Sequence, residues 1–297
     1  MRCLIAINPY SKTYSLLEKA KRMTEEFECL GCEAETMNSI DLFPILKDSK
    51  PYIERAKDFD LCVYLDKDKY LARALETYMP VFNSARSTEL CDDKTTTFLA
   101  LSGSGIRTPK TIPAPLCYTE PEEKEKEIFL DRVEKELGYP LVCKEAYGSL
   151  GKQVYLVKDR AGLEAIYSRL CHTTHLYQEF VGESISSSRD YRVITVGGSA
   201  VASMVRVNPA DFRSNIGCGG HAEKVETLPE EIRNIAELSS KLLGLEYAGV
   251  DIAVDKGGKP TLLEVNSNAF FKGVESVSGV NVAHLFAKRC LDLVKKR

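Results

Sequence analysis

Two carboxylates set opposite each other across a hairpin are the most chemically loaded feature of this chain. They lie in Gly249-Val-Asp251-Ile-Ala-Val-Asp-Lys-Gly257-Gly258-Lys-Pro-Thr-Leu-Leu-Glu264-Val-Asn266, where apolar stretches flank a glycine pair. A two-residue turn at Gly257-Gly258, which needs positive φ, pairs 256 with 259 and therefore Asp251 with Glu264. Asn266 falls two positions along on the same face, and Val250, Ile252, Val254, Leu263 and Val265 share the opposite one. Facing carboxylates in a half-buried sheet repel, and burying either one alone is costly. A cation between them is therefore expected. Two carboxylates and an amide form an oxygen-only donor set, which suits Mg²⁺; zinc would want histidine or thiolate, and none is near in sequence. The alternative is a carboxylate pair splayed to solvent at a sheet edge.

A second constellation suits an anion. Pro140-Leu-Val-Cys-Lys144 puts a lysine in an apolar strand, where an unpaired ammonium is expensive. Just beyond it, Gly148-Ser149-Leu150-Gly151-Lys152 forms a glycine loop whose backbone N–H groups can approach phosphate oxygens closely. The loop lacks the GKS/T ending of a Walker P-loop and leads into a strand, not a helix. Cys29-Leu-Gly-Cys32 and His172-Thr-Thr-His175 have ligand-like spacing, but neither is completed by a partner motif, so ordinary structural residues are expected at both.

These groups need elements to hold them. Arg2 to Asn8, Glu33 to Asn38 and Phe59 to Leu65 read as strands, and the stretches from Ser15 to Leu30 and Lys69 to Tyr78 as helices. Strands separated by helices predict a parallel sheet with helices on its faces. No phosphate-binding glycine pattern follows the first strand, which excludes a dinucleotide site there. Asp92 to Leu101 reads as a helix, Gly103 to Pro109 as a loop, and Glu120 to Glu136 as a surface helix with an apolar stripe of Ile128, Phe129, Val133 and Leu137, capped by Gly138. Beyond Tyr139 strands dominate: 141–145, 153–157, 176–180, 191–196 and 200–206, with helices over Pro229 to Leu243 and Asn281 to Lys295. The expected architecture is α/β followed by α+β: an N-terminal α/β domain over 1–84, a central lobe over 85–180 carrying the glycine loop, and a C-terminal lobe over 181–297 carrying the carboxylates.

From about Asn83 to Val294 the sequence resembles the ATP-grasp superfamily, and within it the RimK-type carboxylate–amine ligases. The resemblance rests on seven stretches in order: Asp93-Lys94-Thr95 with Gly105-Ile106-Arg-Thr-Pro109-Lys-Thr111; Tyr139 to Lys144 with Gly148 to Gly151; Gln178-Glu179-Phe180-Val181; Asp190-Tyr-Arg192 with Gly197-Gly198; Phe212-Arg213-Ser214-Asn215; Ala248 to Asp251; and Leu263 to Asn268. It implies an N-terminal pre-ATP-grasp domain and two lobes clasping ATP. Lys94 and Lys144 would contact the ATP phosphates, and Gly148, Ser149 and Gly151 would belong to the flap over them. Gln178, Glu179, Phe180 and Val181 would bind the nucleotide, the last three through backbone that reads the adenine edge. Asp190 would hydrogen-bond the ribose or position Arg192, itself counted with the nucleotide site. Arg213, Ser214 and Asn215 would line the nucleotide and acyl-phosphate pocket, and Arg206 would partner the transferred phosphoryl oxygens, a surface salt bridge being its alternative. Asp251, Glu264 and Asn266 would hold two Mg²⁺ ions, replaceable by Mn²⁺. Two positions depart from the family: Gln153, where glycine is usual, and Ala269, where proline is commoner.

The implied activity joins a small-molecule or peptide carboxylate to an amine through an acyl phosphate, with release of ADP, and the addition of glutamate or another amino acid is the form of it that the resemblance suggests. Its rivals are an ATP-grasp kinase and a non-catalytic ATP-binding regulatory protein. Relatives form dimers or tetramers, so a homo-oligomer is implied as well. The N-terminal region and the stretch from Arg206 to His221 are expected to shape the acceptor pocket, with Cys218-Gly219-Gly220-His221 either a cover for it or a simple connection. Composition is that expected of an ordinary soluble globular protein: 297 residues, 44% hydrophobic, with 40 basic against 43 acidic residues and a net charge of −3. This balance carries no signal for nucleic acid, and the apolar content excludes disorder. The run before Pro9 is too short for a signal peptide, and no apolar stretch approaches the roughly 20 residues of a membrane helix. A cytoplasmic protein with ten reduced cysteines is expected.

Overall fold

A computed structural model describes residues 1–11, 13–182 and 184–296. The N-terminal sheet is parallel, in the order β2 (Glu33–Asn38), β1 (Arg2–Ile7), β5 (Leu61–Tyr64), β6 (Val81–Phe82), with a small antiparallel hairpin of β3 (Ile45–Lys47) and β4 (Lys50–Tyr52) beside it. Its central strands are apolar without alternation because both faces are covered. Cys3, Ile5 and Ile7 pack against α1 (Tyr14–Cys29), while Leu4, Ala6, Cys62 and Tyr64 share a core with α2 (Lys69–Leu75). Both helices start on side-chain caps, Thr13 and Asp68.

The helix expected from Asp92 to Leu101 is α4 (Lys94–Ala100), and a further helix, α3 (Ala85–Asp92), precedes it. Asp93 divides them, its Oδ1 accepting from the amides of Thr95 and Thr96 at 2.8 and 3.0 Å. An N-cap side chain that satisfies the first turn of one helix ends the preceding one. The middle sheet is antiparallel, in the order β7 (Thr111–Pro113), β10 (His175–Glu179), β8 (Leu141–Glu145), β9 (Val154–Val157). One face is sealed by α5 (Glu123–Leu137) and α6 (Arg160–Leu170); Leu141, Cys143 and Tyr177 point into that core. Period-2 alternation therefore sends Val142, Lys144 and Gln178 to the other face, which is open. The stripe of α5 differs from expectation at one place. Leu130 and Val133 are fully buried, whereas Ile128 is 61% exposed.

The C-terminal sheet is antiparallel: β13 (His221–Lys224), β12 (Ser199–Asn208), β11 (Ser188–Val196), β14 (Tyr247–Val254), β15 (Pro260–Asn266). Val193, Val250, Ile252, Leu262 and Val265 meet α7 (Glu230–Leu242) on one face. The opposite face is divided. At one end Ile194, Met204 and Tyr247 pack against α8 (Lys272–Ser278) and α9 (Val282–Val294), in the core shared with α1; at the other stand Asp190, Arg192, Arg206 and Asp251. No helix among the described residues is long and apolar enough to cross a membrane.

Asp251 does pair with Glu264, but by a different route from the two-residue turn. Asp255 pairs with Lys259 (N to O 3.1 Å), so the loop has three residues, with Gly258 at φ +78°. A bulge at Leu263 then restores the register, Ile252 facing Leu262 while Asp251 faces Glu264. The longer loop and the bulge cancel. The bulge also moves Leu263 off the core face assigned to it: it lines the cleft, and Leu262 takes its place in the core. For α5, Leu130→Ala is expected to lower unfolding free energy by about 2–5 kcal/mol. Ile128→Ala should change it by no more than about 0.5 kcal/mol, both read by urea denaturation.

Candidate active site

The open face of the middle sheet and the charged end of the C-terminal sheet enclose a cleft of about 840 Å³. Every position named from sequence as nucleotide-binding or catalytic lines it except Arg192, which faces a neighbouring cavity; of the three metal positions, Asp251 and Glu264 line the cleft and Asn266 the cavity. Lys144 comes from β8 and forms no ion pair among the described residues. Burial pushes its ammonium down to about 8, opposed by the attraction of Glu264 and reinforced by Lys94. Lys94, at the start of α4, is buried beside Glu264 (3.5 Å) and donates to the carbonyl of Gly148 at 3.2 Å.

The expectation for the facing carboxylates is corrected by what surrounds them. Asp251 is met by guanidinium groups: Arg192, its partner in register on β11, binds both oxygens, with Nη2 to Oδ2 at 2.8 Å, and Arg206 Nη2 lies 3.1 Å from Oδ2. Burial alone would raise the Asp251 carboxyl, yet Arg192 and Arg206 hold it below the usual carboxylate range. Its charge is compensated within the protein, and no divalent cation is required for that purpose. Arg206 is no surface salt bridge either. It is 4% exposed and clamps Asp190 on the adjacent strand, Nε to Oδ1 at 2.8 Å and Nη2 to Oδ2. Of the two roles left open for Asp190, positioning Arg192 is therefore replaced by positioning Arg206.

The fit of the site to its implied ligands can be read from unengaged atoms. Glu264 Oε2 and Asn266 Oδ1 accept no hydrogen bond among the described residues, so this pair suits a divalent ion, whereas both oxygens of Asp251 are taken. Gln178 is 1% exposed; its Nε2 donates to Thr111 Oγ1 at 2.8 Å, and its buried Oε1 has no partner. A buried orphan acceptor in a cleft wall fits a ligand N–H, such as the amino group of adenine.

The glycine loop leaves β8 and returns into β9 docked on the segment after β12. Arg213 is bound to Asp211 (Nη2 to Oδ2 2.8 Å) and donates through Nη1 to the carbonyl of Gly151 at 3.0 Å, so it acts here as a brace on the loop. Gln153, the departure from the family pattern, folds back so that its Oε1 accepts from the amide of Ser149 at 3.3 Å. Ser214 and Asn215 line the cleft beside it. The Cys218-Gly219-Gly220-His221 stretch closes a 3₁₀ turn and enters β13.

Some residues that build the site carry no sequence signal. Buried Asn208 donates to the carbonyls of Arg213 and Cys218 at 2.9 and 3.0 Å. Buried Asn83 donates to those of Tyr247 and Ser267, both at 2.7 Å, and accepts from the amides of Glu246 and Tyr247. Gly249 lies so close to Ala269 that an added Cβ would meet the Ala269 Cβ at 2.4 Å, which holds the Asn266 loop against β14. These residue types are common in turns and strands, so only spatial position reveals them. Cys29 is exposed and Cys32 buried; His175 is buried against Thr173 and Tyr177, while His172 lies outside near Glu120. A second cavity of about 1000 Å³ adjoins the cleft, sharing Ser149, Leu150, Asn215 and Glu264 with it and reaching Asn8, Asp66 and Lys67 of the N-terminal unit.

Comparison with known proteins agrees with this architecture. Residues 91–289 match the family described as the RimK-like ATP-grasp domain. A probable alpha-L-glutamate ligase 2 of Shewanella amazonensis is 32% identical over 281 residues, covering 90% of this chain and 89% of the relative. Beta-citrylglutamate synthase B of Danio rerio is 29% identical over 269 residues, covering 89% of this chain; the chain spans only 61% of that relative's length. The crystal structure of D-alanine–D-alanine ligase from Bacillus anthracis complexed with ATP superposes with a TM-score of 0.75 at 20% identity, covering 100% of this chain and 98% of the other.

The ion-pair geometry separates structural from available carboxylates. Asp251→Ala, which strands the Arg192 guanidinium and leaves Arg206 with Asp190 alone, is expected to lower unfolding free energy by about 3–5 kcal/mol in urea denaturation. Glu264→Ala, which removes one partner of a single lysine, should shift it by less than about 1 kcal/mol.

Proposed function

This chain belongs to the RimK-like ATP-grasp family, and on that footing we propose that it is an ADP-forming carboxylate–amine ligase. The observation that carries the reading is Lys144: a buried cation without a counter-ion, beside a carboxylate and an amide whose outer oxygens are unengaged. Such a site has spare positive charge where a phosphate chain would bring negative charge. Gln178 Oε1 would accept from the adenine amino group, and Phe180 and Val181 would flank the ring. Glu264 and Asn266 would hold Mg²⁺, or Mn²⁺ in its place, which would neutralise phosphate charge and orient the phosphate oxygens.

In this reading a substrate carboxylate oxygen attacks the γ-phosphorus of ATP, breaking the bond to ADP and giving an acyl phosphate. An amine then attacks the acyl carbon, phosphate leaves, and the amine nitrogen loses its proton. The protein's part is alignment and charge balance: Lys94 and Lys144 on the phosphates, and the glycine loop excluding water from the acyl phosphate. The second cavity, which adjoins Glu264 and Asn266, would present the substrates to the transferred group. The names of both curated relatives contain glutamate, which supports L-glutamate as the amine. All ten cysteines are unpaired, as suits a cytoplasmic protein.

The direct test is ADP release with ATP, Mg²⁺, L-glutamate and either citrate or N-acetyl-L-aspartate. Release that depends on the amine is expected; release indifferent to it points to a kinase, and none across a broad amino-acid panel refutes the ligase. Glu264→Ala should abolish turnover while leaving ATP affinity without Mg²⁺ nearly unchanged. Titration of Lys144 gives a readout independent of turnover. Its ammonium is partly deprotonated near pH 8 in the free protein, and bound phosphate restores the proton, so ATP binding there should take up about half a proton. Calorimetry in buffers of different ionisation enthalpy should show the uptake fading toward pH 6.5 and vanishing in Lys144→Met. Gln178→Leu should weaken ATP binding about tenfold through loss of its one free acceptor.

A further inference from the structure

One wall of the second cavity is the loop that follows Asn266, and a lysine outside every motif holds it. Lys19 of α1 is 3% exposed and forms no ion pair among the described residues. Its ammonium donates to Asn268 Oδ1 at 2.6 Å and to the carbonyl of Ala269 at 2.9 Å, and it lies 4.9 and 5.7 Å from the ring centroids of Tyr247 and Phe271. The hydroxyl of Tyr247 donates to the same Ala269 carbonyl at 2.8 Å. Burial alone pushes the ammonium down to about 7. An apolar side chain of equal length would fill this aromatic cage without that penalty, so the gain from a lysine lies in what it holds.

The chemistry of the contact settles the orientation of the amide. An amine or ammonium donates toward this oxygen, so the atom of Asn268 facing Lys19 is the carbonyl, and the NH₂ group is turned away. That nitrogen meets no acceptor among the described residues and is not sealed in the core, and Asn268 lines the second cavity. The charged groups on the same wall are already engaged. Asp66 accepts from Asn8 and the Lys67 amide, Lys67 pairs with Asp92, Arg192 with Asp251, and Glu264 with Lys94. The amide donors of Asn268 are left for a ligand, and their strongest complement is a carboxylate.

We propose that Asn268 presents its N–H pair to the second cavity to bind a carboxylate oxygen of a substrate, and that Lys19 is the positioning residue that fixes this orientation. The inference rests on the reading of that cavity as the substrate pocket.

Calorimetry on the full chain, preloaded with a non-hydrolysable ATP analogue and Mg²⁺, tests it with L-glutamate, citrate and N-acetyl-L-aspartate as probes. At least one should bind, Asn268→Ala should weaken it about tenfold or more, and affinity for the ATP analogue should stay within about twofold. Asn268→Asp keeps the size and the bond to Lys19 but turns donors into acceptors, and should weaken the carboxylate further. Lys19→Met should reproduce the loss while the thermal midpoint holds or rises, and the double variant should be no worse than Asn268→Ala alone. Failure of all three probes to bind, or equal binding by wild type and Asn268→Ala, overturns the proposal. A Lys19→Met protein with unchanged carboxylate affinity overturns the positioning role. The ligase reading fails separately: a chain that binds carboxylate through Asn268 yet releases no amine-dependent ADP sinks that reading alone.

Discussion

Charge balance inside the cleft is the constraint on which the site depends. At the carboxylate end of the cleft, where it borders the second cavity, three carboxylates, Asp190, Asp251 and Glu264, meet four cations, Arg192, Arg206, Lys94 and Lys144. Arginines take the two aspartates, which are nearly inaccessible to water, because a planar guanidinium can satisfy both oxygens of a carboxylate at once. Lys94 takes the more exposed Glu264. Lys144 is left over. A fold that buries an extra positive charge is under tension that a bound polyanion relieves, so the surplus is both a cost to the free protein and a source of affinity.

Neutral amides do the holding around this charged floor. Asn83 joins the chain after β6 to β14 and to the loop behind Asn266, and Asn208 joins the end of β12 to the segment against which the glycine loop docks. Each satisfies several buried backbone groups that irregular chain would leave without partners. The loops that reach the cleft are irregular, but the atoms that anchor them are buried and fully bonded. Rigidity of this kind lets loop residues present side chains with the precision that chemistry needs.

Which of these features the sequence disclosed follows from how far each reaches along the chain. The Asp251–Glu264 pairing is local to one hairpin and was legible, although the turn and the bulge that produce it were not; a one-residue loop error and a one-residue bulge are invisible when they cancel. Lys144 announced itself by being charged in an apolar strand. The partners of Asp251 did not, because Arg192 and Arg206 arrive from strands whose place beside β14 depends on sheet order, and period-2 patterning is silent on order. Reading the hairpin alone therefore missed that arginines meet the charge of Asp251.

The glycine loop shows how the same balance bears on motion. Its inner backbone groups are not waiting empty: Ser149 donates to Gln153, Gly148 accepts from Lys94, and Gly151 accepts from Arg213. A phosphate chain competes for the first two partners, Ser149 as a donor and Lys94 as a cation, but has nothing to offer the carbonyl of Gly151. On the ligase reading, nucleotide entry would exchange contacts near Gly148 and Ser149 and leave the Arg213 brace in place. The loop is thus held at its Gly151 end by Arg213 and at its Ser149 end by a glutamine at 153, where the family usually has glycine.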